Sequence, residues 1–170
     1  MKQRPYSPPF KRKRLGKTDY RARLKLLTGK MLRLVIRKSL KNIRAQIIEF
    51  HATGDHVLVS VSTKDLQKKY GWPAARRNTP AAYLTGYLLG LKAKGKKITG
   101  AIVDIGLQTA GKGSILFAVV KGAIDAGMKI PYNPINFPSE ERIKGKHIKF
   151  KNLNVDQIKQ AIDRTFQEKP

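Results

Sequence analysis

The eight residues from Gly106 to Gly113 have the composition and spacing of a phosphate-binding loop. They follow an apolar run at 98–105 and precede a predicted helix at 114–126. In nucleotide hydrolases with such a loop, backbone amides cradle the phosphates, a lysine reaches the terminal phosphate and the next hydroxyl binds magnesium. Here Gly113 follows Lys112, so that hydroxyl is missing or displaced to Ser114, and no second apolar strand that ends in an aspartate is predicted downstream. A P-loop-like nucleotide hydrolase therefore stays only an alternative.

Other catalytic patterns are missing from the sequence. The chain has no cysteine, which removes thiol nucleophiles and cysteine-based zinc sites. His51, His56 and His147 do not have the spacing of metal ligands, and the carboxylates are not clustered along the chain. We therefore predict a protein that is not an enzyme, with no catalytic residues, no metal, no cofactor and no small-molecule substrate.

Positive charge is the strongest chemical signal in the chain. Its 170 residues include 36 Lys and Arg against 11 Asp and Glu, for a net charge of +25. Residues 1–44 hold 16 of these cations and a single acid, Asp19. Such a charge favours a nucleic acid, because binding releases the counterions condensed on a polyanion. No apolar stretch approaches a membrane span of about 18 residues, and we expect no membrane partner and no secretory signal.

The N-terminal cations lie on a segment with little predicted structure of its own. Prolines and four consecutive cations at 11–14 predict an extended arm over residues 1–14. Tyr20, Leu24 and Leu27 have helical spacing, with Thr18 as the expected N-cap and Gly29 as the stop.

The next cations lie on a predicted sheet. Alternating apolar residues at 32–36, 43–47 and 57–61, separated by turns, predict an antiparallel meander of three strands. Its aliphatic face can cover helices, whereas Arg33, Arg37, Arg44 and Gln46 are expected to point outward. Helices at 64–70, 79–95 and 114–126 and strands at 98–105 and 128–132 follow, and Asn154 is expected to cap a last helix. The helix at 79–95 is expected to be capped by Thr79 and to carry its apolar residues on one stripe. Gly86 and Gly90, four residues apart on it, predict the close approach of another backbone. The predicted fold class is α+β: an antiparallel three-strand meander followed by helix, strand, helix and strand, with helices on one face of the sheet and a basic extended N-terminal arm.

The candidate RNA contacts are cations and polar side chains of the arm and of the first two strands. They are Lys11, Arg12, Lys13, Arg14, Lys17, Thr18, Tyr20, Arg21, Arg23, Lys25, Arg33, Arg37, Lys38, Ser39, Lys41, Asn42, Arg44 and Gln46. Weaker candidates are Trp72, Arg76, Arg77, Asn78 and Lys112. Among the aromatic residues, Tyr6, Phe10 and Trp72 lie near cations and are candidates for stacking on unpaired bases.

Five segments of the chain resemble a known family. They are Phe10–Leu24, Arg33–Ser39, Tyr70–Trp72, Asn78–Gly90 and Asp104–Leu107. Together they resemble large-subunit ribosomal protein L-eighteen in its archaeal form, over nearly all of residues 5–135. The resemblance implies a structural protein, located in the cytoplasmic ribosome, that binds 5S rRNA and helps attach it to 23S rRNA in the central protuberance, beside neighbouring large-subunit ribosomal proteins.

The charge, proline and periodicity patterns, together with the resemblance, predict a domain organisation, although the part from about residue 134 matches the family less well. Residues 1–30 are expected to form the basic RNA-binding arm, 31–133 an α/β RNA-binding core, and 134–170 an irregular segment with a C-terminal helix. A non-specific RNA-binding protein remains the second alternative, because charge alone would produce much of the same composition.

Overall fold

The computed structural model describes residues 7–148 and 154–167. Within them the chain is α+β, as predicted. The helices are Lys11–Arg14 (α1), Tyr20–Thr28 (α2), Thr63–Tyr70 (α3), Thr79–Gly95 (α4), Ile115–Asp125 (α5), Glu140–Ile143 (α6) and Val155–Gln167 (α7), with a 3-10 turn at Pro134–Asn136. The strands are Arg33–Lys38 (β1), Ile43–Glu49 (β2), His56–Ser62 (β3) and Ile102–Asp104 (β4).

The four strands form one mixed sheet in the order β3-β2-β1-β4. Neighbours among β1, β2 and β3 are antiparallel, whereas β4 runs parallel to β1. The sheet is therefore not the purely antiparallel three-stranded sheet that the alternation predicted. A parallel fourth strand depends on a distant pairing, which local periodicity does not reveal.

Two predicted strands are shorter in the structure. The apolar run at 98–105 contributes only three strand residues, because the chain turns at Gly106, which has a positive φ of 61°. The predicted strand at 128–132 is reduced to one parallel bridge between Gly100 and Lys129. Pro131 has no amide hydrogen, so the ladder cannot continue through it.

The hydrophobic core lies between the sheet and the helices α4 and α5. Leu34, Ile36 and Ile47 on the inner face of the sheet are fully buried in the same cluster as Leu84 and Leu88 of α4. The α4 helix is buried almost all round, so its apolar residues form more than the single stripe that helical spacing predicted. The inner face of the sheet is thereby held rigid by packing.

Glycines allow α4 and α5 to cross closely. A Cβ on Gly86 would overlap the backbone of Val119, and one on Gly122 would overlap the backbone of Tyr83. A side chain at either position would force the two helices apart. The expected close approach of another backbone at Gly86 is therefore confirmed.

Part of the described N-terminal segment is helical instead of extended. Lys11–Arg14 forms a single helical turn, although no side-chain cap supports it. Asp19, rather than Thr18, caps α2, since its carboxylate accepts from the amides of Arg21 and Ala22. A carboxylate is favoured there over a hydroxyl by the positive end of the helix dipole.

The α2 helix buries no residue, so side-chain contacts attach it to the sheet. Its Arg23 binds Asp55, which in turn binds Arg33. Arg33 alternates along β1 with the core residue Leu34. The helices α4 and α5 thus cover one face of the sheet, whereas α2 is joined to the other, contrary to the prediction of helices on one face.

The C-terminal helix α7 packs against α4 through polar groups. Asn154 accepts from the amide of Gln157, which confirms the predicted cap. The Tyr87 hydroxyl donates to Asp163 at 2.7 Å, and Lys159 Nζ lies 4.7 Å from the centre of the Tyr87 ring. Burial, with the hydrogen bond to Asp163, raises the pKa of Tyr87 to about 12, so the phenol stays protonated and donates.

Candidate nucleic-acid interface

Two adjoining clefts lie beside the sheet strand β1. The hairpin cleft has a volume of about 330 Å³ and is lined by Arg37, Lys38, Ser39, Asn42, Arg44, Gln46, Ser62 and Lys64. The arm cleft, about 510 Å³, is lined by Arg12, Lys17, Thr18, Asp19, Tyr20, Ala22, Arg23, Arg37, Asp55, Asp104, Gly106 and Leu107. Arg37 lines both, so the two clefts form one continuous surface.

The hairpin cleft brings cations together without acids. The register of the sheet sets Arg37 directly opposite Arg44, and Arg44 opposite Ser62. Like charges placed opposite each other in a sheet are destabilising. Within the described ranges, neither Arg44, Lys38 nor Lys64 forms an ion pair. These cations are therefore available to an anion from outside the protein.

Arg37 is held in a fixed position, although its side chain is 47% exposed. Its Nη1 donates to the carbonyls of Ile36 and Asp104, at 3.1 and 3.2 Å. Gly106 gives the guanidinium room, because a Cβ there would lie 3.0 Å from Nη1. The exposed edge of Arg37 is thus preorganised at the junction of the two clefts.

The β1–β2 turn at the end of the hairpin cleft is closed by its own hydrogen bonds. The Ser39 amide donates to the Asn42 carbonyl at 2.8 Å, and the Asn42 amide donates to Ser39 Oγ at 3.1 Å. The Ser39 hydroxyl also donates to the Asn42 carbonyl. Ser39 therefore fixes the turn, while Lys38 and Lys41 on either side are exposed. Gln46 donates to Ser60 across the sheet face.

Arg33 lies on the outer face of the sheet, as expected, but it is not exposed there. Its side chain is 2% exposed, and it binds Asp104 Oδ2 and Asp55 Oδ2, each at 2.8 Å. Alternation placed Arg33 with Arg37 on one face, but two acids distant in sequence enclose only Arg33. It therefore stabilises the sheet, and we do not propose it as an RNA contact.

Asp55 joins the arm to the sheet. Both of its carboxylate oxygens accept from Arg23 at 2.9 Å, while Oδ2 also accepts from Arg33. Burial by itself raises the pKa of Asp55, but the hydrogen bonds and charges of Arg23 and Arg33 outweigh it and hold that pKa below its ordinary value. A carboxyl whose pKa is lowered by folding stabilises the protein at neutral pH and loses this contribution only as the pH falls through the lowered pKa.

The other candidate RNA contacts of the arm are exposed or half-buried. Arg12 donates to the Thr18 hydroxyl, and the Tyr20 ring lies 5.2 Å from that of Phe10. Both Thr18 and Tyr20 are half-buried. The remaining candidate cations of the arm are exposed: Lys11, Lys13, Arg14, Lys17, Arg21 and Lys25. Tyr6 lies outside the described residues.

The weaker candidates divide into structural and exposed side chains. Trp72 is 1% exposed and donates to the Ala75 carbonyl, which leaves no ring face for a base. Asn78, rather than Thr79, caps α4 by accepting from the amide of Ala81. Arg76 binds Gln67. Arg77 and Lys112 are exposed.

The loop that resembles a phosphate-binding loop uses its polar groups within the protein. Gln108 donates to the Ile36 carbonyl and accepts from the Lys38 amide, so it fastens the loop to β1. The amide of Gly106 donates to Asp104, and that of Gly113 donates to Asn136. These two amides, at the two ends of the loop, are bonded inside the protein and are not available to a phosphate, which argues against a nucleotide site.

The structure adds residues that the sequence did not single out. Ser62 and Lys64 line the hairpin cleft, and Asp55 and Asp104 hold the arginines beside it. Local alternation does not locate Ser62; the pairing of Arg44 with Ser62 across β2 and β3 places it beside the candidate cations.

Neither a metal-binding cluster nor a membrane-spanning helix is present in the described residues. In the part of the chain that the structure describes, no group of three or more histidines or acids could hold a metal ion. Within the same residues, no helix is long and apolar enough to cross a membrane.

Comparison with known proteins identifies a matching family and a similar relative. A family model described as ribosomal large subunit proteins 60S L5 and 50S L18 matches residues 4–100 and 92–133. The large ribosomal subunit protein uL18 of Korarchaeum cryptofilum is 47% identical over 143 residues, which cover 84% of this chain and 73% of that protein.

Proposed function

This chain belongs to the family of large-subunit ribosomal proteins that includes 60S L5 and 50S L18, and on that premise we propose that it binds 5S rRNA and helps attach it to 23S rRNA in the central protuberance. The resemblance found in its motifs is confirmed. As a member of this family it is a structural, non-enzymatic constituent of the large subunit of the cytoplasmic ribosome, and the nucleotide-hydrolase alternative is set aside.

The single observation that supports the proposal most is the hairpin cleft. Arg37 and Arg44 lie opposite each other on a rigid sheet, with Lys38 and Lys64 beside them. Within the described residues, Arg37 alone of the four reaches an acid, at 3.5 Å. Side chains cannot read bases in the deep major groove of duplex RNA, so recognition relies on phosphates, 2′-hydroxyls and shape. A fixed array of cations with neighbouring hydroxyl and amide groups suits this mode of binding.

The arm extends this surface beyond the sheet. Its exposed cations on α1 and α2 lie next to the arm cleft, and Arg23 holds α2 to the sheet through Asp55. A surface with two adjoining parts suits a protein that contacts two RNA molecules. We propose that the sheet sets the position of 5S rRNA, that the arm adds affinity and reaches 23S rRNA, and that neighbouring ribosomal proteins complete the site.

Two matched charge reversals test the role of the hairpin cleft. Arg44→Glu places an acid among its cations, whereas Lys129→Glu makes the same change in net charge on an exposed residue at the opposite edge of the sheet. We expect Arg44→Glu to weaken 5S rRNA binding by about tenfold or more, and Lys129→Glu by about threefold at most, measured by filter binding. Equal losses would contradict a localised site, since they would mean that only net charge matters.

A further inference from the structure

The most exposed large apolar side chain in the described part of the chain is Leu40, at 88%. It lies at the tip of the β1–β2 hairpin, between Ser39 and Lys41. The hydrogen bonds between Ser39 and Asn42 close the turn beneath it. A turn fixed in this way holds Leu40 in solvent instead of letting it fold back onto the sheet.

The charge around Leu40 determines what can cover it. Lys38 and Lys41 flank the tip, Arg37 and Arg44 lie behind it, and residues 33–48 contain no acid. An apolar protein surface would have to desolvate these cations without a counter-charge. An RNA supplies phosphates for the cations and, where a base is unstacked, an apolar face for leucine.

We propose that Leu40 packs against an unstacked base of the RNA bound in the hairpin cleft, so that the hairpin selects an irregular RNA site over a regular duplex. This inference rests on the proposed function. The cations and Leu40 then contribute differently: the cations bind any phosphate backbone, whereas Leu40 gains contact only where a base leaves the stack. Leu40 is thus a specificity-determining residue on an otherwise shape-reading surface.

The two contributions have different salt signatures. A lysine that contacts a phosphate releases counterions, so its removal lowers the slope of log affinity against log salt by about one. An apolar contact releases no counterions. Leu40→Ala should therefore lower the affinity without changing this slope, whereas Lys41→Ala should change both the affinity and the slope.

The test uses the full chain with 5S rRNA and with a fully paired RNA duplex of the same length. Leu40→Ala should weaken 5S rRNA binding by about tenfold and leave duplex binding unchanged. Leu40→Met, which keeps the volume, should stay within about threefold of the original protein. Ile135→Ala serves as the control, because that side chain is 66% exposed and lies in the 3-10 turn. It should change neither 5S rRNA binding nor duplex binding. Urea unfolding should be the same for all variants, since both side chains are exposed.

Three results would overturn the inference. In the first, Leu40→Ala binds 5S rRNA within about twofold of the affinity of the original protein. In the second, it weakens binding to 5S rRNA and to the duplex equally. In the third, its loss appears only when other ribosomal proteins are present, which would assign Leu40 to a protein partner. If the original protein fails to prefer 5S rRNA over the duplex, the proposed function fails as well, so the two failures are distinguishable.

Discussion

Raising the salt concentration from about 50 to about 200 mM should weaken the binding of this protein to 5S rRNA by about a thousandfold. Neutralising each phosphate releases condensed counterions, and about six contacts are enough for a loss of this size. The exposed cations of the arm and the hairpin cleft can supply them: Lys11, Lys13, Arg14, Lys38, Lys41 and Arg44. Filter binding over a salt series measures the slope directly.

The arm provides the control for this prediction. Deleting residues 1–30 should make the slope shallower and impair docking to the larger RNA, while the core stays folded, since α2 buries no residue. A binding constant that does not change between low and moderate salt would contradict the electrostatic basis of the interface. Loss of the folded state on deletion would show instead that the arm is part of the core.

Replacing Asp104 with alanine should lower the free energy of unfolding by about 3–5 kcal/mol. Asp104 binds Arg33 at 2.8 Å, accepts from the Gly106 amide at 2.9 Å and has a side chain that is only 9% exposed. Without it, the buried guanidinium of Arg33 keeps Asp55, at the edge of the protein, as its one ion-pair partner among the described residues. Urea unfolding at equilibrium measures the change, provided that the dependence on urea concentration stays the same.

An exposed ion pair gives the matched control. Glu141 and Lys146 lie 3.2 Å apart with side chains 73% and 66% exposed. Glu141→Ala should therefore change the free energy of unfolding by less than about 1 kcal/mol. If Asp104→Ala also lowers the free energy of unfolding by less than about 1 kcal/mol, then water, and not the carboxylate, compensates the charge of Arg33.

The sequence predicted best what depends on local spacing. Leu34, Ile36, Ile43 and Ile47 were assigned to one face by alternation, and all four are buried in the core. Gly86 was recognised as a point of close approach, because two small residues four apart on a helix leave a groove.

Features that depend on distant partners could not be predicted. Arg33 and Arg37 occupy equivalent positions in the alternation, yet only Arg33 is enclosed, by acids 22 and 71 residues away. Lys64 enters the hairpin cleft because β3 pairs with β2 and ends beside Arg44.

The cation run at Lys11–Arg14 was expected to repel itself into an extended form, but it makes one helical turn, which a local pattern of charge does not specify.

Competition between RNAs tests the central claim most directly. Labelled 5S rRNA bound to the full chain is challenged at moderate salt with unlabelled RNA of equal length and unrelated sequence. If the sheet and hairpin recognise 5S rRNA specifically, the complex should persist through about a hundredfold excess of competitor, whereas unlabelled 5S rRNA should displace the label at equal concentration. Displacement by both RNAs at the same concentration would contradict the account and identify a non-specific RNA-binding protein.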